Sequence, residues 1–168
     1  MVLTSLSAGS RGRRVHVLVM EPMHPDGVEW LRARGATPIL AYDGEDWHPY
    51  ADRIRAIVVR SYRVDGELLD RLPALEMVGK HGVGVNTIDL EATAARGVKV
   101  TNVVGANANA VAEGAVALLL AALRDLVVCD RATRAGQWWD FRFGLRFMKE
   151  LSGSRLGVLG AGRIGRRG

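Results

Sequence analysis

The sequence predicts an α/β fold in which helices cover both faces of a parallel sheet. From Val15 onward, short runs rich in Val and Ile, such as VHVLVM and AIVVR, alternate with amphipathic stretches of helical period. The runs are close to continuously apolar, as strands buried on both faces are. Two of the strand-like segments lead straight into glycine-rich turns, HGVGVN and GAGRIG. With 48% hydrophobic and 24% charged residues among 168, the chain has an ordinary globular composition that excludes disorder throughout. Its length suits one full domain and part of a second.

Val15 to Met20 forms the first strand, and a helix follows over Asp26 to Arg34, ended by Gly35 as a left-handed cap. Thr37 to Ala41 is the second strand, Asp46 to Ile54 a short helix, and Ala56 to Arg60 a third strand whose apolar character suits the sheet centre. A helix over Asp65 to Leu72 is stopped by Pro73, and Glu76 to Lys80 runs as the fourth strand into HGVGVN. Thr87 caps a short helix that ends at Gly97, and Val98 to Val104 is the fifth strand.

The longest element is a single helix from Ala110 to Arg134, about 36 Å at 1.5 Å per residue. Val111, Ala115, Leu118, Leu119, Ala122, Leu123 and Leu126 share one face of it, which calls for a burying partner, and Gly136 stops it. The stretch QWWDFRFGLRFMKEL has neither period and reads as a loop; Arg155 to Leu159 is then a sixth strand leading into GAGRIG. A change of composition near Val104 divides the chain into a flexible tail over 1–14, a domain over 15–104 and a partial domain over 105–168. No internal repeat is present.

The net charge of +5 sits at the ends, in Arg11, Arg13 and Arg14 and in Arg163, Arg166 and Arg167, around a near-neutral body. That distribution argues for solvated tails and against a phosphate-backbone footprint, so no nucleic-acid partner is expected. The longest apolar run, Gly114 to Leu123, is half of the about 20 residues a membrane helix needs. The leader MVLTSLSAGSRGRR has no apolar core for export, so a cytoplasmic location is expected. One cysteine, Cys129, cannot pair within the chain. His16, His24, His48 and His81 have no metal-ligand spacing, and no metal site is expected.

Two segments carry chemistry. Gly160, Gly162 and Gly165 form G-x-G-x-x-G directly after a predicted strand. There the first glycine permits a tight turn, the second lets amides approach a pyrophosphate, and the third allows close packing, with Arg163 and Ile164 as backbone donors. A plain glycine-rich turn remains an equal alternative on these residues alone. The second segment is Gly82 to Val85, at the carboxyl end of the fourth strand, where open α/β sheets bind ligands. Successive free amides there make a nest for an anion such as a carboxylate, although on these residues alone two glycines that only shape a tight turn are slightly favoured. Arg60 and Ser61 end the third strand at the same edge.

AIVVRS, GVGVNTIDLEA, RGVKVTN, NAVAE, RAGQW and LSGSRLGVLGAGRIG, in this order and at these distances, resemble the D-isomer-specific 2-hydroxyacid dehydrogenases, most closely the D-3-phosphoglycerate dehydrogenase branch. The resemblance covers about Val15 to Arg166. It implies a flavodoxin-like, doubly wound substrate domain followed by the start of a Rossmann nucleotide-binding domain. The implied activity is hydride transfer between NAD, with NADP not excluded, and a small 2-hydroxy or 2-oxo acid. Val83 and Gly84 would offer amides to the substrate carboxylate, and Arg60 and Ser61 would meet its distal anion. Asn107 would border the cleft; Gly160, Gly162, Arg163 and Ile164 would hold the pyrophosphate, with Gly165 packing behind them. The resemblance also implies a homodimer through the long helix and the loop after it.

Departures accompany it. Asn86 and Thr87 stand where the family has Asp-Asn, and Val104 where Pro is common. The family's catalytic Arg, Glu and His lie downstream of the glycine fingerprint, and all four histidines here precede Gly82, so no catalytic residue is assigned. The expectation is a truncated dehydrogenase, inactive alone, with a non-catalytic acid-binding or partner-binding module as the alternative.

Overall fold

The computed structural model describes residues 15–143 and 148–167. The 1–14 tail lies outside the described residues. Backbone contacts divide the chain into two compact units, Met1–Val104 and Gly105–Gly168.

The first unit is a five-stranded sheet: β1 (Val15–Val19), β2 (Ala36–Leu40), β3 (Ile54–Val59), β4 (Met77–Lys80) and β5 (Lys99–Asn102). Every pairing is parallel and the order is β2-β1-β3-β4-β5, the doubly wound arrangement the sequence implies. Three helices connect the strands: α1 (Pro25–Ala33), α2 (Gly66–Asp70) and α3 (Leu90–Ala95).

Alternation along the strands splits the core in two. Val17, Val19, Ala56 and Met77 face one way and pack with Val28 and Leu31 of α1. Leu18, Ile57, Val59 and Val78 face the other way, among Leu68, Leu69 and Leu72. Between His16 and Val17 the β1–β3 register slips, so Arg55 is passed over and Ile54 joins Ile57 in the second cluster. Pro25 starts α1 at a position where its missing N–H is no loss, and Gly35 at φ +79° ends that segment.

Three local expectations are corrected in this unit. The 46–54 segment is not a helix; short 3-10 turns at Ala41–Asp43 and His48–Tyr50 cross the gap, with Pro49 in the second. The cap of α3 is Asp89, whose carboxylate accepts the Ala92 N–H at 2.8 Å. Thr87 is committed elsewhere: its carbonyl accepts the Val64 N–H and its hydroxyl accepts from Lys80. The 76–80 and 98–104 strands are shorter than expected, at four residues each.

In the second unit the expected single helix is two, α4 (Ala108–Leu123) and α5 (Leu126–Arg134). Asp125 breaks it by adopting φ +48°, the left-handed region that Asp tolerates better than most residues, and its carbonyl then receives the Val128 and Cys129 N–H groups. The expected loop after Gly136 begins with a short helix, α6 (Trp138–Phe143), in which the Trp139 and Phe143 rings stack at 5.7 Å. The anticipated sixth strand over 155–159 pairs with nothing among the described residues. A strand without a neighbour has no ladder to close, and its apolar side chains stay in solvent, Leu159 completely so. No described helix is long and apolar enough to cross a membrane.

Candidate functional site

In a sheet of this order, ligands are expected outside the carboxyl ends of the strands, beside the reversal between β1 and β3. Three segments of the first unit emerge at that edge: 20–22 after β1, 60–64 after β3 and 81–88 after β4.

The last two are tied to each other. Val64 donates its N–H to the Thr87 carbonyl at 2.9 Å, and Asp89 returns one to the Val64 carbonyl at 2.8 Å, a short parallel bridge between Val64 and Ile88. Lys80, buried at the end of β4, sends its ammonium to the Arg60 carbonyl and to Thr87 Oγ1, the latter at 3.1 Å. A buried ammonium must spend its donors on oxygens, and here it spends them joining the two segments. The structure thus brings Arg60 and Ser61 together with the turn that holds Val83 and Gly84.

That turn is held by its carbonyls. Gly82, at φ +155°, gives its carbonyl to the Val103 N–H, and the Val83 carbonyl accepts from the Asn102 side chain at 2.7 Å. The Val83 and Gly84 amides have no acceptor among the described residues, and both residues are exposed. A Cβ on Gly84 would sit 3.1 Å from Asn86 Oδ1, so the turn leaves little room for a side chain. Arg60 is exposed, and its charge acts on the nearby Glu21 carboxylate. A fixed turn with open amides, on a segment tied to the one that carries an exposed arginine, can bind an acid with a second anion.

The feature that the sequence did not reveal is Glu21. Its carboxylate accepts the backbone N–H groups of Arg60 at 2.5 Å, Ser61 at 2.7 Å and Tyr62 at 2.9 Å. Partial burial works to raise its pKa, but the amide bonds from Tyr62, Arg60 and Ser61 and the Arg60 charge together hold it below the usual carboxylate value. Lys80 was passed over as well. The only sequence signal for either residue is a single charge at the end of an apolar strand, in VHVLVME and MVGK.

In the second unit, Gly160 turns at φ +97°, and one helical turn follows, with the Arg166 N–H on the Gly162 carbonyl and the Arg167 N–H on the Ile164 carbonyl. The three glycines differ in surroundings. A Cβ on Gly165 would collide with the Gly160 carbonyl, whereas a Cβ on Gly162 would meet open space. The amides of Ala161, Gly162, Arg163 and Ile164 have no acceptor among the described residues. Arg163 lies against Gly105 and Arg167 bonds to Asn109, which places the turn beside the start of α4, where the exposed Asn107 is the N-terminal cap residue. A left-handed glycine, an open one and a closed one are what an amide cradle for a pyrophosphate requires.

A family model, the D-isomer specific 2-hydroxyacid dehydrogenase catalytic domain, matches residues 17–153. The chain belongs to this family. It is 37% identical over 153 residues to a D-3-phosphoglycerate dehydrogenase of Archaeoglobus fulgidus, a match covering 89% of this chain and 28% of that protein. Among solved structures, it resembles an NADPH-dependent glyoxylate/hydroxypyruvate reductase from Sinorhizobium meliloti in complex with NADP and malonate, at 30% identity and TM-score 0.72, covering 92% of this chain and 49% of that one. It also resembles an NAD-dependent formate dehydrogenase from Staphylococcus aureus in complex with NAD, at 28% identity and TM-score 0.70, covering 90% and 51%. The chain therefore spans about a quarter to a half of the length of these proteins.

Proposed function

We propose that the chain supplies the acid-gripping and dinucleotide-gripping parts of a cytoplasmic 2-hydroxyacid dehydrogenase whose substrate carries a second anion, as a phosphoglycerate does. The observation that carries this reading is the junction of Arg60 and Ser61 with the 82–87 turn through buried Lys80. In it, the Val83 and Gly84 amides take the substrate carboxylate, and Arg60 and Ser61 take the distal anion. The open amides of Gly162, Arg163 and Ile164, reached past Gly160 and packed on Gly165, suit the pyrophosphate of NAD or NADP. When bound, the nicotinamide exchanges a hydride with the carbon that bears the hydroxyl. This chain's own part is to bind and orient the acid, with its guanidinium and amides as fixed positive poles.

The proton step has no candidate in these residues. Among the described residues no histidine is hydrogen-bonded or ion-paired to a glutamate; His48 is engaged by Asp46 at 2.6 Å, and His16 stacks on Tyr50. We therefore expect binding without turnover. Leu118, Val127 and Phe143 are more than half exposed, which supports a homodimer through α4, α5 and the segment after them.

The unpaired 155–159 segment favours a second reading, an acid-binding module without redox chemistry. Calorimetry with 3-phosphoglycerate and with NAD, beside an assay of NADH formation on a panel of 2-hydroxy acids, separates the two. Binding of both ligands supports the dehydrogenase reading and acid binding alone supports the module. Binding of neither ligand sinks both readings, and turnover well above blank overturns the expected inactivity.

A further inference from the structure

The crevice that the sheet order marks for a ligand, between the ends of β1 and β3, already holds an anion, and the chain supplies it. Glu21 leaves the end of β1 and crosses to the first turn after β3, where its two oxygens collect three successive amides, from Arg60, Ser61 and Tyr62. Three amides on one carboxylate form the kind of nest that elsewhere takes a phosphate, and occupation by Glu21 denies it to an incoming acid. From the opposite side, Lys80 at the end of β4 holds the Arg60 carbonyl. Arg60 is therefore fixed at its N–H by a carboxylate from one neighbouring strand and at its carbonyl by an ammonium from the other. Its exposed side chain, whose charge also acts on Glu21, is left as the part that can meet a ligand.

We infer that Glu21 is a positioning residue that, with Lys80, sets the Arg60 turn so that an acid with a distal anion is preferred over one without. The inference rests on the proposed acid-binding role of Arg60 and adds the device that aims it. Glu21 does not touch the acid, and its effect falls on the part of the ligand that Arg60 meets. The Val83 and Gly84 amides, held by Asn102 and Val103, do not depend on it.

The test uses the full chain, labelled with nitrogen-15, as wild type, Glu21→Ala and Glu21→Gln. Amide exchange is read at residues 60–62, and calorimetric affinity is measured for 3-phosphoglycerate and for lactate. In Glu21→Ala, exchange at 60–62 should speed up at least tenfold and 3-phosphoglycerate affinity should fall about tenfold, the effect of losing a charge-assisted hydrogen bond, while lactate affinity changes less than twofold. Glu21→Gln, which keeps one acceptor oxygen and the side-chain shape, should recover part of both losses. If the alanine variant unfolds by circular dichroism, the glutamine variant carries the same comparison.

Equal losses for both acids mean that Glu21 is merely structural, and unchanged exchange at 60–62 means that it does not hold the turn; either result overturns the inference. A wild-type chain that binds neither acid sinks the acid-site reading and the selectivity with it. Wild-type binding combined with unchanged selectivity in the variants sinks the role of Glu21 alone.

Discussion

The turn at 82–85 and the turn at 160–165 both present open amides, but different parts of the chain hold them. The first is fixed from a distance, by Asn102 at the end of β5 and Val103 just after it, and by a loop pairing that joins Val64 to Thr87 and Asp89, all on a finished sheet. The second is fixed mainly by its own neighbours, Arg166 on the carbonyls of Gly162 and Ala161, with one longer tie from Arg167 to Asn109. A turn built on sheet geometry keeps its shape as long as the core stands, whereas a locally held turn depends on each glycine in it. The 82–85 turn is thus preformed by tertiary structure, and the 160–165 turn by backbone conformation.

The largest effect that follows is on stability. Ile57 is fully buried in the sheet, and Ile57→Ala should cost about 2–5 kcal/mol in urea unfolding. Leu159, fully exposed beside the glycine turn, should lose no more than about 0.5 kcal/mol as Leu159→Ala. If the two costs were similar, the segment before the glycines would be packed and the contrast between the turns would fail.

A smaller effect separates two glycines within the second turn. Gly165→Ala sets a methyl against the Gly160 carbonyl and should open the turn, visible as altered amide shifts at 160–165 without ligand. Gly162→Ala meets open space, so those shifts should change little, yet NAD affinity should fall at least tenfold because the methyl occupies the approach to the amides. Equal disturbance of the free protein by both changes would remove the distinction.

The legible part of this molecule was what local pattern controls. Period and glycine placement gave five strands in order, and a helix begins after Asp65 as expected, though it spans only Gly66–Asp70, with the Asp65 carboxylate accepting the Leu68 N–H at 3.2 Å. The split at Asp125 was hidden because the apolar spacing of Leu119, Ala122 and Leu126 runs straight through it, leaving only the charged Arg124–Asp125 pair as a sign. Strand 155–159 reads as a strand by composition, but composition cannot supply the neighbour that a ladder needs. At the site, Arg60, Ser61 and the 82–85 turn were visible as strand ends, whereas Glu21 and Lys80 were not. Their roles depend on which strands lie side by side, and the order β2-β1-β3-β4-β5 that makes them neighbours of Arg60 comes from tertiary structure.

The smallest effect is on the pH dependence of stability, and it tests the distance-held turn directly. The Glu21 carboxylate faces Arg60 as its charged neighbour; against partial burial, the three amides and that charge hold it below the usual carboxylate value. A carboxyl group whose folded pKa is depressed contributes stability that is fully present above its unfolded pKa and is lost as pH falls through the folded pKa. Urea unfolding of the wild type should therefore weaken between pH 5 and lower pH more than that of Glu21→Gln, whose amide does not titrate. Asp46, also depressed through its bonds to His48, is common to both proteins and cancels in the comparison. Parallel pH profiles would mean that the Arg60 turn stands without the Glu21 charge, leaving Lys80 and the Val64 pairing as its support.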